Sequence, residues 1–402
     1  MLHLFDDIDA KMKLHLNEPK ELPVLKVGAG GTASGSIVSR ILLIVLSQLL
    51  LCGPATAWSL RYLGQQIVPT GYVFADTTVG GLSGLDYDPL RRHYYAIPDD
   101  RSEHQTARFY TLALDLDAFN TRADPGHAGV TFTGVFMLRD RAGKPYARKQ
   151  VDPESLRLAP GGDRLIWASE GAADSGIPPF VGEMSLQGDH LRIFSLPSRY
   201  QPGKGSGVRD NRAFESLAVV AETGRVYTAV ENALIQDGPV ADASQGSACR
   251  VLAYDLRTGQ SVAEYAYVTD PVVQPPALPL MFHTNGLVEL LALDAKSFIA
   301  VERSYTPMAG NNIRFYLASL AEATEVSALP SLAMGNFRPM TKTLLLDLSS
   351  LGISLDNIEG ASWGPVLPNG HRSLVLVSDN NFNPAQFTQF LAFELIPKAG
   401  DQ

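Results

Sequence analysis

The chain has 402 residues, a formal net charge of −9 and a hydrophobic fraction of 45%. That fraction supports a large folded core, and the acidic balance with no basic stripe excludes nucleic acid as a partner. The 35 glycines and 26 prolines suit a body with many turns.

Residues 1–57 read as a processing segment and 58–398 as one domain. Arg40 precedes an apolar run from Ile41 to Leu51, Gly53-Pro54 breaks it, and Ala55-Thr56-Ala57 supplies the small residues of a signal-peptidase site. The run is shorter than the roughly 20 apolar residues of a spanning helix, so no membrane span is expected after cleavage before Trp58. Cys52 suggests a lipid anchor, but Leu51 before it is too large for that cleavage site. Cleavage leaves Cys249 alone and rules out an intrachain disulfide. The expected location is the bacterial periplasm or the extracellular space.

Beyond the leader, five stretches repeat one plan: an acid or amide, a small residue, an apolar strand, a turn, a second apolar strand and another acid. They run from Ser83 to Asp99, Glu154 to Glu170, Glu215 to Glu231, Asn285 to Glu302 and Glu359 to Asp379. The first three share one spacing. Self-similarity at a regular period marks a repeat architecture. In the second stretch Leu156-Arg157-Leu158 alternates, Pro160-Gly161-Gly162-Asp163 turns, and Leu165 to Ala168 returns as a buried strand. Two further strand candidates follow each hairpin, such as Arg108–Leu116 with Val130–Leu138. Four antiparallel strands per unit define a propeller blade.

The expected fold is therefore an all-β, closed β-propeller of five four-stranded blades, with six open if one repeat has degenerated. One strand is missing at the C-terminal end, and Arg61–Val68 or Tyr72–Ala75 can supply it, closing the ring. Long polar segments, among them Asp100–Ala107, Pro197–Ala213 and Asp270–Thr284, fall mainly on one face. The first strand of each blade lies innermost, which predicts a carboxylate-lined cavity on the axis beneath those loops.

The strings Gly80-Gly81-Leu82-Ser83-Gly84-Leu85, Phe214-Glu215-Ser216-Leu217, Val301-Glu302-Arg303-Ser304 and Asn357-Ile358-Glu359-Gly360 resemble the phytase-like family, "esterase-like activity of phytase". The resemblance covers nearly the whole mature chain and implies a secreted bacterial protein acting on phosphate esters. Ser83 departs from a fully acidic ring.

The chemistry points the same way. Calcium and similar hard ions take six to eight oxygen ligands, and carboxylates crowded around a channel need a cation or raised pKa values. Asp99, Asp100, Glu154, Glu170, Glu231 and Asp379 are the candidate ligands of a divalent metal, calcium by donor type. Glu215, Glu302 and Glu359 are the candidate catalytic residues. Arg101, Arg108, Arg303 and Asn285 are candidates to bind substrate, the arginines by gripping phosphate oxygens bidentately. For each residue the plain alternative is a strand cap or an arginine partner. His104 and His283 fall on the loop face as further acid candidates. Gly360-Ala361-Ser362-Trp363-Gly364 matches an esterase elbow, but it lies inside a strand rather than at a strand-to-helix turn. The reading is a monomeric, exported, metal-dependent hydrolase of a small phosphate ester. The alternatives are a non-enzymatic calcium-stabilised propeller that binds a ligand or partner, and a lactonase-like hydrolase.

Overall fold

The computed structural model describes residues 58–397, apart from 276–277 and 279–280. The leader and its cleavage site lie outside the described residues. The chain first lays down β1 (Trp58–Val68) and a short ribbon of β2 (Val73–Phe74) with β3 (Thr77–Thr78). Blade one follows as β4 (Leu82–Asp88), β5 (His93–Pro98), β6 (Arg108–Leu114) and β7 (Val130–Met137). Blade two is β8 (Pro153–Leu158), β9 (Arg164–Ser169), β10 (Phe180–Ser185) and β11 (His190–Ile193). Blade three is β12 (Phe214–Val220), β13 (Arg225–Val230), β14 (Ala248–Asp255) and β15 (Ser261–Val268). Blade four is β16 (Thr284–Ala292), β17 (Ser297–Thr306), β18 (Gly310–Ser319) and β19 (Thr341–Asp347). Blade five contains β20 (Asn357–Val366), β21 (Arg372–Asp379) and β22 (Thr388–Pro397).

β1 completes blade five. It pairs antiparallel with β22 from Trp58 opposite Pro397 to Val68 opposite Thr388. The ring is thus closed by its own N-terminal strand, which covers an edge that would otherwise offer unpaired backbone groups to another chain. Tyr72–Ala75, the other strand considered for this role, lies in the ribbon region instead. Among the described residues there are five blades and no sixth.

The innermost strands β4, β8, β12, β16 and β20 pack around the axis. Their apolar side chains and those of the second strands build cores between neighbouring blades. Leu156, Leu165 and Trp167 meet Ile97 and Phe109 between blades one and two. Ile299, Phe315, Leu376 and Phe393 fill the space between blades four and five. Each fully buried side chain of this kind contributes about 1.5–3 kcal/mol relative to exposure. Among the described residues, no helix is long and apolar enough to cross a membrane.

Candidate active site

The inner strands place their acids by a shared irregularity. In four blades the pairing of the first two strands skips one residue: Ser83, Glu154, Glu215 and Glu359. A bulge of this kind leaves one residue unpaired and re-aims it, and here it sits next to the last residue pair before the channel mouth. Directly after that pair comes the second-strand acid. Asp99, Glu170 and Glu231 donate their backbone N–H to Gly81, Asp152 and Ala213, while Asp379 pairs with Asn357.

Blade four differs from the sequence alignment. Its bulge falls at Val288, and Gly286 pairs with Arg303. Asn285 and Glu302 are therefore not the counterparts of Glu215 and Glu231. Glu302 accepts from Tyr267 Oη at 2.8 Å, Lys342 Nζ at 2.5 Å, the Asp270 N–H at 2.9 Å and Asn285 Nδ2 at 2.8 Å. It and Asn285 form a buried knot of their own. Arg303 instead joins the acids: its Nη1 lies 2.5 Å from Glu359 Oε1 and also bonds Asn357, and its Nη2 lies 3.4 Å from Glu231 Oε1.

On the blade-two side, one carboxylate oxygen each from Asp152, Glu154 and Glu170 lies within 4.8 Å of the others. All three residues are buried. Asp152 Oδ2 is 2.5 Å from Arg101 Nη2 without the alignment of a hydrogen bond. Glu170 is 3.8 Å from the same guanidinium and accepts the Ala213 N–H at 2.6 Å. Among the described residues, the carboxylates of Asp99, Glu154 and Glu215 have no hydrogen-bond or ion-pair partner in the hydrogen-bond and salt-bridge geometry. Two glycines keep space for these groups. A Cβ on Gly286 would lie 2.3 Å from Glu231 Oε1, and one on Gly81 would lie 2.5 Å from Asp99 Oδ1.

The electrostatics follow from burial and crowding. Burial, then the neighbouring acids, holds Asp99, Glu154, Glu170 and Glu215 well above the usual carboxylate range. Asp379 is pushed up to about 8, first by burial and then by Glu359. Asp152 rises to about 6 through burial, which Arg101 partly offsets. Glu359 is raised by burial although Arg303 pulls it down. Such a group either keeps protons at neutral pH or takes up a cation. Its donors are all hard oxygens, several without a protein partner, and this fits a divalent ion of the calcium type.

The other sequence candidates lie elsewhere. Asp100 accepts the N–H groups of Glu103, His104 and Gln105 and holds Arg108 at 2.7 Å. Arg108 is wholly buried, with Tyr110 Oη and the carbonyls of Thr106 and Thr78 as its remaining partners. This pair shapes the loop after β5, and Asp100 touches the acidic group only as a neighbouring charge that helps raise Asp99. His104 stacks on Phe382 with centroids 4.3 Å apart, and His283 Nδ1 meets the Met281 carbonyl at 2.8 Å. Ser362 lies within β20 and donates to the Trp363 carbonyl at 2.7 Å, so it forms no nucleophile elbow.

Two members of the site were missed in the sequence. Asp152 and Asn357 each precede a bulge glutamate by two residues, and Asn357 Nδ2 bonds Glu359 at 2.9 Å and Asp379 at 3.1 Å. The period of two along a strand was the available signal.

Fold and site together define a five-bladed propeller with a buried acidic chamber at one end of its channel. The family described as "Phytase-like: Esterase-like activity of phytase" matches residues 77–382, and the chain belongs to it. No curated protein matches the sequence. Among solved structures, the periplasmic gluconolactonase PpgL of Pseudomonas aeruginosa is similar at 10% identity and a TM-score of 0.31, over 79% of this chain and 86% of that one. The Dos1 propeller is similar at 7% identity and a TM-score of 0.34, over 80% and 68%. Likeness at this level carries no argument about chemistry.

Proposed function

We propose that this chain is an exported, metal-dependent hydrolase of small phosphate esters. The observation that carries the reading is the convergence of Asp152, Glu154 and Glu170 on one point, with Arg303 and Arg101 as flanking cations. Those three carboxylates would hold a divalent cation, calcium by donor chemistry. The bound ion would supply Lewis-acid polarisation of a phosphoryl oxygen.

This chain's own residues take the other roles. Arg303 bridges Glu231 and Glu359, and it would turn part of its planar fork to phosphate oxygens, a geometry that guanidinium matches bidentately. Arg101, ion-paired with Asp152 and donating to Asn211 Oδ1 at 2.8 Å, would steady the ester from the loop side. Glu215 lacks a protein partner, and a cation bound beside it would favour its ionised form, so it would accept a proton from the attacking water. Asn357 would keep Glu359 and Asp379 oriented.

The test is a panel of phosphate mono- and diesters with Glu215→Gln and Arg303→Lys. The expected result is calcium-dependent turnover in the wild type, loss of kcat in Glu215→Gln and a raised KM in Arg303→Lys. Export is tested separately by N-terminal sequencing of periplasmic material, which should begin Trp-Ser-Leu.

One observation favours a second reading. Glu154 and Glu215 are 7% and 8% exposed, and such burial suits an ion that stabilises the ring without turnover. Under that reading chelation lowers stability while every ester in the panel stays intact.

A further inference from the structure

The seam where the ring closes, between blade five and blade one, carries an aromatic clamp beside the acidic chamber. After β21 the backbone turns left-handed at Asn381 and Phe382, with φ of 49° at both. For a bulky residue that conformation is strained, and it persists only where the surroundings hold it. Two side-chain oxygens do so. Asp379 Oδ1 accepts the Asn381 N–H at 2.5 Å, and Asn380 Oδ1 accepts the Phe382 N–H at 3.0 Å. Asn380 Oδ1 also accepts the Gly81 N–H at 3.0 Å, which ties blade five to blade one.

The Phe382 ring is gripped by two partners. It lies against the Gly80–Gly81 backbone: a Cβ on Gly80 would stand 2.9 Å from Cδ1, and one on Gly81 2.7 Å from Cε2. His104 stacks on it with centroids 4.3 Å apart. Asp100 fixes that histidine by accepting its N–H at 3.0 Å, and the Arg108 guanidinium lies 5.9 Å from the Phe382 ring centre, within reach of cation–π attraction.

Gly81 is where the clamp meets the chamber. Its carbonyl accepts the Asp99 N–H at 2.8 Å, and Asp99 Oδ1 and the Phe382 ring share the space that its missing Cβ leaves. Asp379, one residue before Asn380, is the acid whose charge acts most strongly on Asp99. The two carboxylates therefore stand on opposite sides of the seam, on backbones joined through Asn380. Glycine would take the left-handed turn without strain, so local folding does not call for phenylalanine at 382.

We propose that Phe382 is a positioning residue: clamped between Gly80–Gly81 and His104, it sets Asp99 and Asp379 across the seam toward a cation in the chamber. The proposal rests on the metal reading of that chamber.

Phe382→Gly tests it, because that variant keeps the turn and removes the ring. It is compared with the wild type, as the full chain, by calcium titration and, in chelator, by Tm and by hydrogen–deuterium exchange. Calcium affinity should fall about tenfold or more. Tm in chelator should change little, since relief of the strain offsets the lost packing. Exchange should quicken in peptides carrying Gly81 and Asp99 and stay unchanged in those carrying Glu170 and Glu231. His104→Ala, at an exposed position, should move affinity and exchange the same way, and it carries the comparison if Phe382→Gly does not fold. His104→Phe restores an aromatic partner and should bind calcium as the wild type does. A wild type that binds no calcium would contradict the metal reading alone, and the exchange comparison would then decide the positioning. Wild-type exchange at Gly81 and Asp99 in the variants, or calcium held as tightly as by the wild type, would overturn the proposal.

Discussion

The Arg303 guanidinium spans two blades, with Nη1 2.5 Å from Glu359 Oε1 and Nη2 3.4 Å from Glu231 Oε1. It stands in a blade whose bulge has moved to Val288, and with Arg101 it brings positive charge into a chamber walled mainly by acids. Arg303→Ala should therefore destabilise the metal-free protein by about 3–5 kcal/mol, the range for removing one partner of a buried pair. The loss should be larger at pH 8 than at pH 5, because more of the remaining acids would have to ionise. Urea denaturation in chelator at the two pH values checks this. An equal loss at both would place Arg303 outside the charge balance.

Gly286 gives a steric counterpart. A Cβ there would lie 2.3 Å from Oε1, 2.4 Å from Cγ and 2.6 Å from Cδ of Glu231. The whole end of Glu231 would have to move, so Gly286→Ala should cost about 1–3 kcal/mol, as overpacking does. It should also weaken the contact to Arg303. Thermal unfolding of Gly286→Ala and of Gly286→Ala/Glu231→Ala tests the cause, since shortening Glu231 should recover most of the steric loss.

The raised acids set a pH dependence with a definite sign. Their folded pKa values lie above those of the unfolded chain, so the folded state binds more protons and its stability falls as pH rises. For Asp152 the fall runs from the ordinary value near 4 to about 6, and for Asp379 to about 8. In chelator, stability should decline between about pH 4 and pH 8. Calcium should flatten the decline, because it binds the ionised carboxylates. A chelated protein whose stability rises over this window would contradict the electrostatic description.

Ring closure by β1 makes the N-terminal strand essential to blade five. Removing residues 58–68 would expose the β22 edge along its paired length. Oligomers or aggregates are expected on size-exclusion chromatography. Arg61→Ala should change stability by no more than about 1 kcal/mol, since its pair with Glu394 is solvent-exposed on the arginine side.

The architecture was legible because the repeats combine period-two strands with turn residues at regular intervals. The need for a spare strand was legible as well, from the absence of a partner after Phe387–Glu394, though the choice between Arg61–Val68 and Tyr72–Ala75 was settled only by the pairing of β1 with β22. The acids of blades two, three and five were readable because each bulge glutamate starts a repeated string. Blade four was not, because a one-residue spacing change hides a shifted bulge. Glu302 aligns with Glu231 by sequence, yet it faces Tyr267 and Lys342, and Arg303 takes the place at the chamber. Arg108 and Asp100 looked like site residues because both follow the first repeat. Only side-chain direction reveals that they bond each other inside the blade-one loop.

Calorimetric titration of calcium into chelator-treated protein, with Glu154→Gln alongside, tests the central claim most directly. The expected result is a saturable site in the wild type that Glu154→Gln weakens at least about tenfold, equivalent to about 1.4 kcal/mol. Its affinity should rise between pH 6 and pH 8 as the cluster gives up its protons. Absence of calcium binding at pH 8, or binding that Glu154→Gln leaves unchanged, would contradict a metal centre at Asp152, Glu154 and Glu170.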